Sequence, residues 1–151
     1  MGDDETEYVQ SFVQGDDLLL KAAIRTRDVA VGPLIKPGGD FAQALRLALA
    51  DPPYTTRTAE VKNLSFDVVW KVMSAVKEAD IEKVVGGLSL EECDVLMKYI
   101  YRGLGPAGKK NEVYSALLKW HPVVLKRAGQ SSIIRAISEV NQALSDFPVS
   151  A

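Results

Sequence analysis

Between residues 59 and 77 apolar side chains recur at helical spacing on two sides at once. On a helical wheel of about 100° per residue, Val61, Leu64, Val68, Val72, Ala75 and Val76 form one stripe. Phe66, Trp70 and Met73 form a second stripe well away from the first. Only Asn63, Asp67, Lys71 and Ser74 remain as a narrow polar sector. A helix that is apolar on two sides has to lie between other helices rather than at an edge. The rest of the chain must therefore supply helices to cover it.

It does. Asp40 is placed to cap a helix carrying Phe41, Ala44, Leu45, Ala48 and Leu49, which Pro52 and Pro53 end. Asp80 is placed to cap a short helix over residues 81–85 that stops at Gly86 and Gly87. Ser89 and Glu92 have the spacing of a capping box, in which each side chain satisfies a free amide at a helix start. The helix they open carries Leu90, Cys93, Leu96, Met97 and Ile100 on one stripe and is predicted to end at Arg102, with Gly103 as its C-cap. Another helix begins near Asn111 and reaches His121. Pro122 predicts a kink or a restart there, because proline lacks an amide hydrogen and restricts the residue before it. Gly129 then punctuates the chain. A last helix covers residues 132–146, with Ile133, Ile137, Val140 and Leu144 aligned. No run alternates with period two. The fold class read from this pattern is all-α: six or seven short helices in an α-α superhelix or bundle, with short loops pairing neighbours antiparallel. A chain of 151 residues is one domain's worth and buries about two-thirds of its surface on folding.

The first 39 residues read differently. Asp3, Asp4, Glu5, Glu7, Asp16 and Asp17 precede any Lys or Arg, whereas the chain after residue 20 holds 18 basic and 14 acidic residues. Pro33, Pro37, Gly38 and Gly39 mark a linker. Residues 1–39 are therefore predicted to be an extended acidic arm and linker, with a short helix over 17–27 whose apolar side is Leu18, Leu19, Ala22 and Ala23. Residues 40–151 are predicted to be the helical domain. Tyr8, Phe12 and Val13 favour an arm that orders on a partner over a purely solvating tail.

Several function classes lose ground on composition. A net charge of −2 lacks the basic field that nucleic-acid binding needs. No stretch approaches the roughly 18 apolar residues of a membrane span. The N-terminus lacks the basic and apolar regions of a secretory signal, which points to the cytoplasm. Gly103, Gly105 and Gly108 match G-x-G-x-x-G by letter, but they leave a helix rather than a strand, and Pro106 removes an amide that a phosphate cradle would use. Cys93 and His121 are the only Cys and His. Cys93 falls on a core stripe, where a thiol is ordinarily inert. One histidine and one cysteine do not make a zinc site. The N-terminal acids lack the alternating ligands and turn glycine of a calcium loop. No catalytic residue, metal ligand or cofactor is expected, and the chain reads as a non-enzyme.

The candidate functional surface is a docking face. Val95 and Tyr99 fall off the core stripe of their helix, beside Lys98 and Arg102. Apolar residues flanked by long cations suit a partner contact, and Trp120 and His121 on the next helix extend it. The same spacing also fits Val95 and Tyr99 meeting another helix of their own domain.

Residues 80–103, DIEKVVGGLSLEECDVLMKYIYRG, resemble the family of the smallest, 16-kDa subunit (subunit 5) of the actin-related protein 2/3 complex. Residues 44–49 (ALRLAL) leading to 51–53 (DPP), then 116–121 (ALLKWH), then 129–135 (GQSSIIR), follow the family's order. The resemblance spans about residues 39–137. It implies an α-α superhelical domain behind an extended acidic arm, in a non-catalytic scaffold. It further implies that the body docks on subunit 4 near the β-propeller subunit 1. The arm would reach and tether actin-related protein 2, in a complex that nucleates branched actin filaments at the actin-rich cortex. Tyr8 and Phe12 would be the arm's anchors. The other reading of these residues is a free-standing α-helical adaptor that takes a partner helix or peptide in a groove.

Overall fold

The computed structural model describes residues 3–53, 56, 58–105 and 111–145, with side chains from residue 16 to 105 and 112 to 138 within those ranges. The described residues form seven α-helices and two short 3-10 turns, with no strand. The helices are α1 (Asp3–Val31), α2 (Phe41–Leu49), α3 (Ala59–Ala75), α4 (Ile81–Gly86), α5 (Leu90–Leu104), α6 (Asn111–Ala128) and α7 (Ser131–Ser145). The first three pack on one another, α5 packs on α6 and α7, and α4 rests on α6. Contacts of α5 with α2 and α3 join the two groups around one core.

The double stripe of α3 does what its pattern requires. Val61, Val68 and Val72 are buried on one side, and Phe66 and Met73 on the other. Each such burial contributes roughly 1.5–3 kcal/mol before entropy is counted. The Asp40 side chain accepts from the Gln43 amide and starts α2. Ser89 and Glu92 complete both halves of the capping box at the head of α5.

The structure departs from the sequence reading in several places. Residues expected to be an extended arm with a short inner helix are one helix, α1, and a 3-10 turn at Gly32–Ile35 follows it. The buried side of α1 is also not the one expected. Ile24 and Val31 enter the core and Leu20 packs against it, whereas Leu18 and Leu19 face out. Polar clasps accompany that choice. Asp17 accepts from Thr56 and Thr58, Lys21 pairs with Glu60, and Asp28 pairs with Lys71. The partners rise together along both helices, so α1 and α3 run parallel.

Gly103 is not a C-cap. It lies inside α5, and a Cβ there would collide with Leu117 and stand 2.8 Å from Phe66 Cζ. The glycine serves close helix approach instead, and α5 ends two residues later than expected, at Leu104, with Gly105 as its C-cap. Pro122 does not restart α6, which runs through it. Pro122 is exposed, and so is Leu118, whose carbonyl one turn earlier loses its amide donor to the proline. Asp80 makes no side-chain cap; a 3-10 turn at Glu78–Asp80 leads into α4. In α7 the buried positions are Ser132 and Ala136, small residues that let α7 approach closely, while Ile137 is exposed. Val140 and Leu144 side chains lie outside the described residues.

Candidate partner-binding surface

The candidate face on α5 begins from its core stripe. Cys93, Leu96, Met97 and Ile100 are fully buried. Burial pushes the Cys93 thiol pKa up, which disfavours the thiolate a nucleophile needs. Cys93 and His121 therefore form no reactive pair: His121 Nε2 instead lies 2.9 Å from the Tyr101 hydroxyl, with the two rings edge to face at 5.5 Å.

Val95, Lys98 and Arg102 share one strip of α5, at spacings of three and four residues. Val95 packs partly against the core, and Lys98 and Arg102 are half-buried. The strip borders α3, where Arg102 donates from Nη2 to Asn63 Oδ1 at 3.0 Å. Burial lowers the pKa of Arg102, and its Nε has no hydrogen-bond partner. Tyr99 has turned inward. It is 7% exposed, and its hydroxyl meets Ser65 Oγ at 2.6 Å. Of the two readings of Tyr99, the contact with another helix of the same domain is the one observed.

Trp120 is 2% exposed and belongs to the core. His121 is half-buried on the α6 side of α5, away from the Arg102–Asn63 contact. The predicted face therefore divides into an outer strip of Val95, Lys98 and Arg102, an inner pair of Tyr99 and Trp120, and a separate His121–Tyr101 contact. Tyr8 and Phe12 fall on the backbone of α1, four residues apart, and their side chains lie outside the described residues.

Sequence reasoning missed the exposed apolar residues. Leu18, Leu19 and Val29 on α1, and Ile134 and Ile137 on α7, stand open to solvent. A signal for α1 was present: Leu20, Ile24 and Val31 recur at four and seven residues and define the inward line, which leaves Leu18 and Val29 on the other side. An open cleft of about 490 Å³ between α4 and α6 is lined by Val85, Gly86, Pro122 and Val123, with Glu82 and Lys126 at its edge. Among the described residues no three His, Cys, Asp or Glu side chains gather as a metal site, and no helix is long and apolar enough to cross a membrane.

These features define an all-α helical body with one open cleft and several exposed apolar side chains. The sequence model of the family described as ARP2/3 complex 16 kDa subunit (p16-Arc) matches residues 6–142, and the chain belongs to that family. It is 38% identical over 136 residues to actin-related protein 2/3 complex subunit 5 of Dictyostelium discoideum, covering 89% of this chain and 95% of that protein. It is 37% identical over 102 residues to subunit 5-C of Xenopus laevis, covering 67% of this chain and 66% of that protein. To the subunit 5-like protein of Homo sapiens it is 40% identical over 101 residues, covering 66% of this chain and 64% of that protein.

Proposed function

We propose that this chain is a non-catalytic structural subunit of the actin-related protein 2/3 complex, acting in the cytoplasm on the actin cytoskeleton. The observation that carries the reading is the extent of the family match, which runs from within the acidic N-terminal segment into α7. The buried thiol of Cys93 and the sequestered His121 support a role without chemistry.

In this reading the helical body docks on subunit 4, near the β-propeller subunit 1. The acidic N-terminal segment reaches actin-related protein 2 and tethers it, and the assembled complex nucleates branched filaments. Tyr8 and Phe12 anchor the segment, and its acids steer it to a basic surface. The strip of Val95, Lys98 and Arg102 is the body's candidate contact.

The test is to co-express the other complex subunits with the full-length chain, or with a chain carrying Tyr8→Ala and Phe12→Ala. The reading predicts that the body stays folded and remains in the complex while actin-related protein 2 is retained less. Undiminished retention of that subunit contradicts the tethering role. A chain that stays alone in solution favours the free-standing adaptor.

A further inference from the structure

Arg102 is half-buried, as a paired cation often is, yet its partner carries no charge. The acceptor it holds is the amide oxygen of Asn63, 3.0 Å from Nη2. Nε is fully buried with no acceptor, and burial lowers the pKa of the group. Nη1 is bonded to no described residue and is not fully buried, so that nitrogen stays reachable from outside.

Other arginines of the body are provided for differently. Arg135 Nε reaches both oxygens of Asp94, at 2.9 and 3.0 Å, and Arg46 pairs with Glu92 at 3.6 Å. Among the described residues no carboxylate pairs with Arg102. Desolvating a cation costs free energy that one neutral amide offsets only in part. Asn63 does something else: it fixes the direction of the guanidinium without supplying charge.

The surroundings narrow what completes the pair. Glu91, Val95, Lys98 and Arg102 follow one another at spacings of four, three and four, so they share one line of α5. The line runs from an exposed acid, through an apolar residue packed partly on the core, to two half-buried cations. A complementary surface has an acid opposite Arg102 and an apolar group opposite Val95. A guanidinium fork matches the two oxygens of a carboxylate, and the apolar residue two turns away favours a protein side chain over a small anion.

We infer that Arg102 is the anchor of the α5 contact: an Asp or Glu of another subunit of the complex pairs with its Nη nitrogens, and an apolar neighbour of that acid rests on Val95. The inference rests on the subunit reading above and names the chemistry that the partner brings to this strip. Arginines held in place before binding are frequent sites of concentrated interface energy. Asn63 is a positioning residue for the fork.

The experiment co-expresses the other subunits of the actin-related protein 2/3 complex with the full-length chain as wild type, Arg102→Gln, Arg102→Lys or Lys83→Gln. Lys83 is an exposed cation on α4 and serves as the control. A thermal melt of each isolated chain verifies folding. Arg102→Gln is expected to melt close to wild type yet to incorporate about tenfold less or worse. Arg102→Lys should recover only part of the loss, and Lys83→Gln should incorporate normally. A photo-cross-linking residue at Val95 is expected to reach one other subunit, at a peptide holding an Asp or Glu. Changing that acid to Lys should weaken incorporation of the wild-type chain and restore that of Arg102→Glu. Equal incorporation of Arg102→Gln and wild type overturns the anchor and leaves the subunit reading standing. So does an equal loss with Lys83→Gln, or a cross-linked peptide without an acid. If Arg102→Gln melts well below wild type, the acid-to-Lys change in the partner decides, and unchanged incorporation of the wild-type chain overturns the anchor. If the wild-type chain recovers no complex, the subunit reading fails and the anchor falls with it.

Discussion

Asp17 on α1 accepts a 2.6 Å hydrogen bond from the hydroxyl of Thr56, a residue 39 positions further along the chain. The same carboxylate also accepts from the Thr58 hydroxyl, at the position where α3 begins. One side chain thus holds α1 to the entry of the helix on which the core is built. The hydroxyls of Thr56 and then Thr58 hold the Asp17 pKa below its ordinary value of 3.8.

A lowered carboxyl pKa means that the ionised form is favoured in the folded state. The clasp therefore contributes fully above about pH 4 and is lost as pH falls through the folded value. Asp17→Asn is expected to speed amide exchange in residues 17–31 at pH 7. The difference from wild type should shrink progressively below the ordinary value of 3.8. A difference that grows on acidification would contradict the sign.

Tyr99→Phe removes a hydroxyl and leaves the Ser65 hydroxyl, in a residue only 1% exposed, without that partner. The expected cost is about 1–2 kcal/mol in urea denaturation. Adding Ser65→Ala should recover part of the loss, because both polar groups are then gone. A neutral single variant would show that the bond carries no net stability.

Gly103→Ala places a methyl group against Leu117 and Phe66. Overpacking of this kind costs roughly 1–3 kcal/mol. Gly86→Ala is the matched control: no neighbouring heavy atom stands within 4 Å of its Cβ position, and the site is helical. That variant is expected to be neutral or to stabilise by up to about 1 kcal/mol. Equal thermal melts for the two variants would remove close approach as the reason for Gly103.

Pro122 sits inside a continuous helix and on its exposed side. Pro122→Ala restores an amide donor to the Leu118 carbonyl. The variant is expected to be more stable, by about 1–3 kcal/mol, as read by calorimetry. A destabilised variant would mean that the proline ring makes a contact the helix needs.

These sites also mark where sequence stopped being informative. The two stripes of α3, the Asp40 cap and the Ser89–Glu92 box are local: spacing and side-chain type suffice to read them. The orientation of α1 was legible only in part. The line of Leu20, Ile24 and Val31 marks its inward side, but Leu18 and Leu19 are as apolar, and the contacts that clasp α1 in that orientation come from Thr56, Thr58, Glu60 and Lys71, about 40 positions away. Gly103 read as a helix terminus because a glycine after Arg102 fits a C-cap; its actual constraint comes from side chains on α3 and α6. On the candidate surface, the strip of Val95, Lys98 and Arg102 was legible from helical spacing. The inward turn of Tyr99 depended on Ser65, a small polar residue inside an apolar helix, which spacing alone does not single out.

The subunit reading is tested most directly by a native pull-down of the tagged full-length chain, with sizing and mass spectrometry of what co-purifies. The account predicts a stoichiometric assembly containing two actin-related proteins and a β-propeller subunit, with one copy of this chain. A monomer, or a complex with a different single partner, would contradict it.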